Sequence, residues 1–395
     1  MPGSDNSHSP AFKTSAWISS KRYWYWLSVL LPTIPLISAA LAIRTGTGSW
    51  LWFTVFFMYA ILPAADYIFG IDEANPDDEL IEKLKDDRYY VHIMYVVTVM
   101  HWVSLVGMAY VVSHYEWSWF SILGAALSAG IINGVGLVVG HEMGHKVRDK
   151  SQVACAKIVM ACSGYGHFSI EHNKGHHRHV ATPEDPASSR LGESIYKFSK
   201  REMPGAFRRA WSLETERLQR LGKSEWSLDN EIIQPALLTI SAYVLMLALF
   251  GPVMIPFLLI AAGFGWWQLT CANYVEHYGL LRLKRENGRY ERCAPQHSWN
   301  SNHKVSNLLL LQLQRHSDHH AHPTSPYQVL RDYADVPGLP SGYPWMFFVA
   351  MFPWAWFSLM DPKVVAWAEA DMNRVNLDPD LRDELFSRYH NPQTV

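Results

Sequence analysis

The chain has 395 residues, of which 49% are apolar, with 17 Trp, 19 Tyr and 17 Phe, and its formal charge is −2. The charge balance offers no basic surface for nucleic acid, while so aromatic and apolar a chain points to a membrane protein with Trp and Tyr at the interfaces. A mean hydropathy of −0.06 is what a membrane half and a water-exposed half would average to.

The chain opens on a polar, Ser-rich segment, residues 1–23, which is expected to face the cytoplasm with no cleaved leader. Residues 24–140 hold four apolar runs, roughly Trp24 to Ile43, Trp50 to Tyr67, His92 to Val112 and Trp117 to Gly140. Each is long enough to cross a hydrocarbon core of roughly 30 Å. Residues 141–234 are polar, rich in histidine, and include a basic amphipathic stretch from Lys197 to Lys223. Two further spans, divided at Gly251 and Pro252, occupy 235–277, and residues 278–395 are again mostly polar. Within that last segment Tyr343 to Met360 is apolar but broken by Pro344 and Pro353, which suits the membrane interface better than a crossing. The fold class is therefore all-α: six transmembrane helices and a His-rich cap. Lys and Arg cluster in the termini and the long connections, which places both termini and the cap in the cytoplasm.

Histidine is the outlier. Nine imidazoles fall in four short groups near the ends of spans: His141 and His145 in HEMGH; His172, His176 and His177 in EHNKGHH; His277 in NYVEHYG; and His316, His319 and His320 in RHSDHH. If the second group is α-helical, His172 and His176 share a face, with His177 one step round. Several polar rings at one membrane depth are costly without a partner, and neutral imidazole is the commonest protein ligand for metals. HEMGH alone also matches a zinc-protease helix with Glu142 as general base. A catalytic zinc takes three protein ligands and a water, however, whereas nine imidazoles suit two metals. The four cysteines, Cys155, Cys162, Cys271 and Cys293, form no C-x-x-C pair and indicate neither a thiolate site nor a disulfide framework.

Glu142, Glu171, Glu276 and Asp318 adjoin these histidines in sequence and are expected to accept ring N–H bonds or to balance charge. The helix face leading to His141 carries Leu137, Gly134, Asn133 and Gly130; the face leading to His277 carries Asn273, Thr270 and Trp266. The small residues on the first face either leave a substrate channel or serve tight helix packing.

HEMGHK, EHNKGHH, NYVEHYG and LQRHSDHHA, together with PEDPASSRLGESIY and NSNH, resemble the motifs of the integral-membrane non-haem di-iron alkane 1-monooxygenases. The resemblance covers nearly the whole chain. It implies that the nine histidines hold two Fe ions in an enzyme of the cytoplasmic membrane. It implies terminal hydroxylation of medium- or long-chain n-alkanes with O2, the electrons coming from NADH through rubredoxin reductase and rubredoxin. Without a C-x-x-C pair here, rubredoxin is expected on a separate protein or outside this sequence. A membrane fatty-acid desaturase, a membrane zinc protease and a His-rich metal transporter are the alternatives. Few ionisable residues beyond Asp66 lie within the spans, which speaks against a transporter.

Overall fold

The computed structural model describes residues 10–389; residues 1–9 of the N-terminal segment and 390–395 of the C-terminal one lie outside the described residues. Among the described residues the chain is helical, with isolated β-bridges in place of any strand. Four helices long and apolar enough to cross a membrane come first: α1 (Trp17–Thr45), α2 (Gly48–Phe69), α3 (Arg88–His114) and α4 (Trp119–Gly144). The polar segment after them contributes α5 (Lys150–Met160) and α6 (Ile195–Arg220). Two more membrane-length helices follow, α7 (Ile233–Phe250) and α8 (Met254–His277). The remainder forms α9 (His316–Ala321), α10 (Tyr343–Ala350), α11 (Pro353–Trp367) and α12 (Arg382–Tyr389).

Local chemistry sets the ends. Asp87, Ser118, Asp149 and Ser194 each place a side-chain oxygen on the first free N–H groups of α3, α4, α5 and α6. Gly46 closes α1 with φ of 66°, a conformation that glycine adopts without strain. The fourth span runs to Gly144, several residues beyond its apolar run, so His141 and His145 sit on and just past its final turn. A ring on a rigid helix end is better placed than one on a loop.

The helix α4 is the axis of the bundle. Of its apolar window 78% is buried, against 17% for α7, which lies on the periphery with Ile240, Val244 and Leu249 exposed. Its small residues are filled by α8. A Cβ on Gly134 would stand 2.5 Å from Cβ of Gln268, and one on Gly130 would stand 2.7 Å from Cβ of Phe264. Close helix approach is therefore what these glycines supply. The Tyr343–Met360 stretch folds as α10 and most of α11, and α10 packs on α8 and on the middle of α2.

On the polar side, Arg315 fixes α9 from the residue before it. It is 1% exposed and, among the described residues, pairs with no carboxylate; its guanidinium donates to Leu330 O at 2.7 Å and Asp72 O at 2.6 Å. Asp72 in turn pairs with Lys21 at 2.5 Å and accepts from Trp17 Nε1 at 3.0 Å. A planar fork can serve carbonyls in two directions; an ammonium on a shorter reach cannot. Arg315→Lys is expected to lower stability by roughly 2–3 kcal/mol, read as a fall in the thermal midpoint of the detergent-solubilised protein.

Candidate metal centre

The nine histidines of the four motifs converge in two groups. His141, His145, His172, His177 and His319 form one, and His176, His277, His316 and His320 the other; within each, one ligand atom per residue lies within 4.8 Å of all the rest. In the first, His141 Nε2 stands 2.9 Å from His319 Nε2 and 3.2 Å from His145 Nε2, and His172 Nε2 stands 2.9 Å from His177 Nε2. In the second, His320 Nε2 stands 2.8 Å from His316 Nε2 and 3.3 Å from His176 Nε2. Two nitrogens bound at about 2.1 Å to one metal lie roughly 3 Å apart when at right angles. The buried His277 Nε2 has no hydrogen-bond partner. Converging lone pairs with an orphaned ring nitrogen among them are what a cation would satisfy, so the residues fit two metals.

The doublets His176–His177 and His319–His320 are each divided between the groups. Adjacent residues on a helix point about 100° apart, so one short helix can serve two ions side by side. In the second motif the backbone departs from the α-helix. Glu171–His176 forms a π-helical turn, which aligns residues five apart rather than four. His172 accordingly joins His177, not His176 as α-helical spacing implies. Single π-turns are frequent at functional sites.

Electrostatics keep most of the rings neutral. Burial, reinforced by neighbouring imidazoles, holds His145, His172, His177, His316, His319 and His320 well below the ordinary histidine range. Neutral rings are the state a metal accepts. His176 differs: burial lowers it, but the Asp185 carboxylate at 2.8 Å more than offsets this and the net shift is upward. Asp185 also accepts from Ser188 Oγ at 2.7 Å and Arg209 Nη2 at 2.7 Å. It fixes the orientation of the His176 ring in the manner of a carboxylate–histidine–metal triad.

Of the four carboxylates adjoining the motifs, Glu276 meets a ligand ring, His316 Nε2 at 3.1 Å. Glu171 is paired with Arg209, Glu142 faces Lys146 at 3.7 Å, and Asp318 binds His322 Nδ1 at 2.8 Å and Tyr333 Oη at 2.7 Å. Asp185 and Arg209 were missed because neither adjoins a histidine in sequence. The signal available was the PEDP turn a few residues beyond the second motif. Gly175 completes this support, since a Cβ there would stand 2.5 Å from Nε of Arg209.

An apolar cavity reaches the centre from the membrane side. Ile131, Val135 and Val138 of α4, Leu269 and Ala272 of α8, Met58 of α2 and Phe347 of α10 line it, and His141, His172, Glu276 and His316 close its inner end. Gly134, Leu137 and Asn273 stand on its wall. The other residues of the two helix faces are engaged elsewhere: Asn133 donates to Cys162 O, Trp266 to Ser163 O and Thr270 to Glu202, while Gly130 packs on Phe264. The part of the wall given by α10, including Tyr343, came from a stretch whose sequence carried no chemical motif.

Glu202 on α6 is buried with hydrogen bonds from Thr270 Oγ1 at 2.8 Å and Asn273 Nδ2 at 3.1 Å, and burial lifts its carboxyl from 4.5 to about 7. The folded state thus keeps a proton that the unfolded chain releases above pH 4.5, so stability falls as pH rises from about 4.5 to 7 and then levels. Glu202→Gln lacks that slope. Its melting midpoint relative to the parent should rise across this window, by the equivalent of about 3 kcal/mol at most. Asp185→Asn should lower metal affinity roughly 10–100-fold, as loss of an orienting carboxylate does, seen as metal lost on dialysis against a weak chelator with helix content unchanged.

Residues 117–358 match the fatty acid desaturase family. Alkane 1-monooxygenase of Pseudomonas putida is 54% identical over 377 residues, 95% of this chain and 93% of that protein. Alkane 1-monooxygenase 1 of Alcanivorax borkumensis is 54% identical over 368 residues, 93% of this chain and 91% of that protein. The xylene/toluene monooxygenase hydroxylase component of Pseudomonas putida is 29% identical over 252 residues, 62% of this chain and 65% of that protein. The chain belongs to the alkane 1-monooxygenase family of multi-pass membrane oxidoreductases.

Proposed function

We propose that the protein hydroxylates the terminal carbon of medium- and long-chain n-alkanes at a pair of irons held by the nine histidines. The balance is alkane, O2, two electrons and two protons to primary alcohol and water, with rubredoxin and its NADH-dependent reductase supplying the electrons. The observation that carries this reading is the apolar cavity ending on His141, His172 and His316. An unactivated C–H bond offers nothing to an acid, base or nucleophile, and bound irons would supply the redox chemistry it requires. The cavity wall runs along α4 from Ile131 to His141, about 15 Å at 1.5 Å per residue. A slot of that shape admits a chain end-on, excludes water along its length, and presents a terminal carbon first. Both termini and the metal centre are assigned to the cytoplasmic side of the inner membrane, following the Lys and Arg distribution.

The basic run from Lys197 to Lys223, the surface whose charge alone would suit an acidic carrier, is largely paired within the fold. Lys197 pairs with Asp378 and Asp380, Arg201 with Glu193, Arg217 with Glu214 and Lys223 with Asp229, and Arg209 is turned inward to Glu171 and Asp185. A run so largely neutralised exerts little steering. On the polar face a broad cleft between Lys85, Arg88, Lys146 and Thr324 reaches Glu142 and His145; its cations are paired as well, with Glu82, Asp149 and Glu142, so the electron donor is assigned to that opening by its reach to the histidines and not by its charge.

Purified protein in lipid nanodiscs, supplied with iron, rubredoxin, reductase and NADH, should convert octane to 1-octanol carrying one oxygen atom from 18O2. An alkene product would favour the desaturase reading instead. Ile131→Phe adds bulk at the far end of the cavity and should shift preference towards shorter alkanes, each excluded CH2 being worth about 0.8 kcal/mol. Gly134→Leu drives into Gln268 and should lower activity uniformly across chain lengths. Relative kcat/KM over a series of alkanes checks both.

A further inference from the structure

Within the apolar cavity one polar side chain is held in a fixed orientation by a group outside it. Asn273, 5% exposed, stands on the wall one helical turn before His277. Its Nδ2 donates to Glu202 Oε1 at 3.1 Å, and Thr270 Oγ1, on the same face of α8, donates to the other carboxyl oxygen at 2.8 Å. Glu202 is 1% exposed, and its neighbour Arg201 is turned away to Glu193. The carboxyl therefore serves α8. It pulls the amide nitrogen towards α6, and the planar amide then turns Oδ1 the other way. Among the described residues nothing donates a hydrogen bond to that oxygen, and it is not among the sealed, unpartnered atoms of the interior. It is an acceptor open to the cavity, at the end where the metal ligands lie.

We propose that Asn273, oriented by Glu202, is the residue that binds the hydroxyl group of a 1-alkanol in this cavity. The inference rests on the hydroxylase reading above and adds a product-binding position to it. An alkane has no donor, so it leaves Oδ1 unpaired in an apolar setting; an alcohol's O–H satisfies it. The site thus favours the hydroxylated chain over its precursor. A net hydrogen bond between neutral groups corresponds to roughly three- to tenfold in affinity. Asn273 touches the ligand; Glu202 is a positioning residue acting through it.

The test is equilibrium binding to the iron-loaded protein in nanodiscs without reductant, using labelled 1-octanol and octane and subtracting uptake by empty discs. No turnover is needed, so failure of the hydroxylase reading would show in product analysis and not here. The parent should prefer 1-octanol. Asn273→Leu, which keeps the branched shape and removes the acceptor, should weaken 1-octanol three- to tenfold and leave octane unchanged. Glu202→Leu, which releases the amide, should do the same, and Glu202→Gln, which keeps an acceptor for Nδ2, should restore parental preference. Equal losses for both ligands in Asn273→Leu, no loss for 1-octanol, or a Glu202→Gln variant as impaired as Glu202→Leu would overturn the proposal.

Discussion

The structure depends on bringing nine imidazoles together where helix ends meet the polar cap. Each ring is desolvated, and any that protonated would repel its neighbours, so the arrangement is tolerable only with a shared cation to take the lone pairs. The remaining features follow from that requirement. The α4 and α8 ends supply rings on rigid rods, a π-helical turn swings His177 over to His172, and Arg315 anchors the short helix that carries the last three. Asp185 and Arg209 brace the π-helical segment from the α6 side.

A second constraint comes from lipid. Glycines in α4 let α8 approach closely over Gly130 and Gly134, and an apolar slot runs along the same two helices beside that contact. The slot is closed by α2 and by α10, a helix too short to span a membrane. In α2 the wall residues Met58 and Tyr59 lie in a π-helical turn, so irregular backbone recurs where the cavity is formed. Tyr59 Oη donates to Gln268 Oε1 at 2.9 Å, pairing two polar atoms of the wall within the membrane.

Much of this was legible in the sequence. The spans read directly from apolar runs, because lipid leaves few alternatives for a backbone. Eight of the nine candidate ligands stand out by doublets or i, i+4 spacing, while the lone His277 rested on the resemblance of NYVEHYG. What could not be read was tertiary. Gly134 was as compatible with a channel as with packing, and the distance to Gln268 decides that it packs while also bordering the cavity. The pairing of His172 with His177 required knowing that the turn is π-helical. Glu202 comes from the basic amphipathic helix, Phe347 from the apolar stretch read as interfacial and Asp185 from a loop, so no periodicity could tie any of the three to the histidines. The basic run on α6 shows the converse: charge visible in sequence is mostly spent on carboxylates brought in by the fold.

On the function proposed above, the split doublets build two separate metal sites. Metal analysis of the purified protein, set beside variants that remove one ring from each group, tests it most directly. With the doublets divided between two sites, the parent should hold close to two irons and little zinc per chain, falling towards one in both His145→Ala and His277→Ala. A single metal in the parent, or loss of all metal from one variant with none from the other, would contradict it.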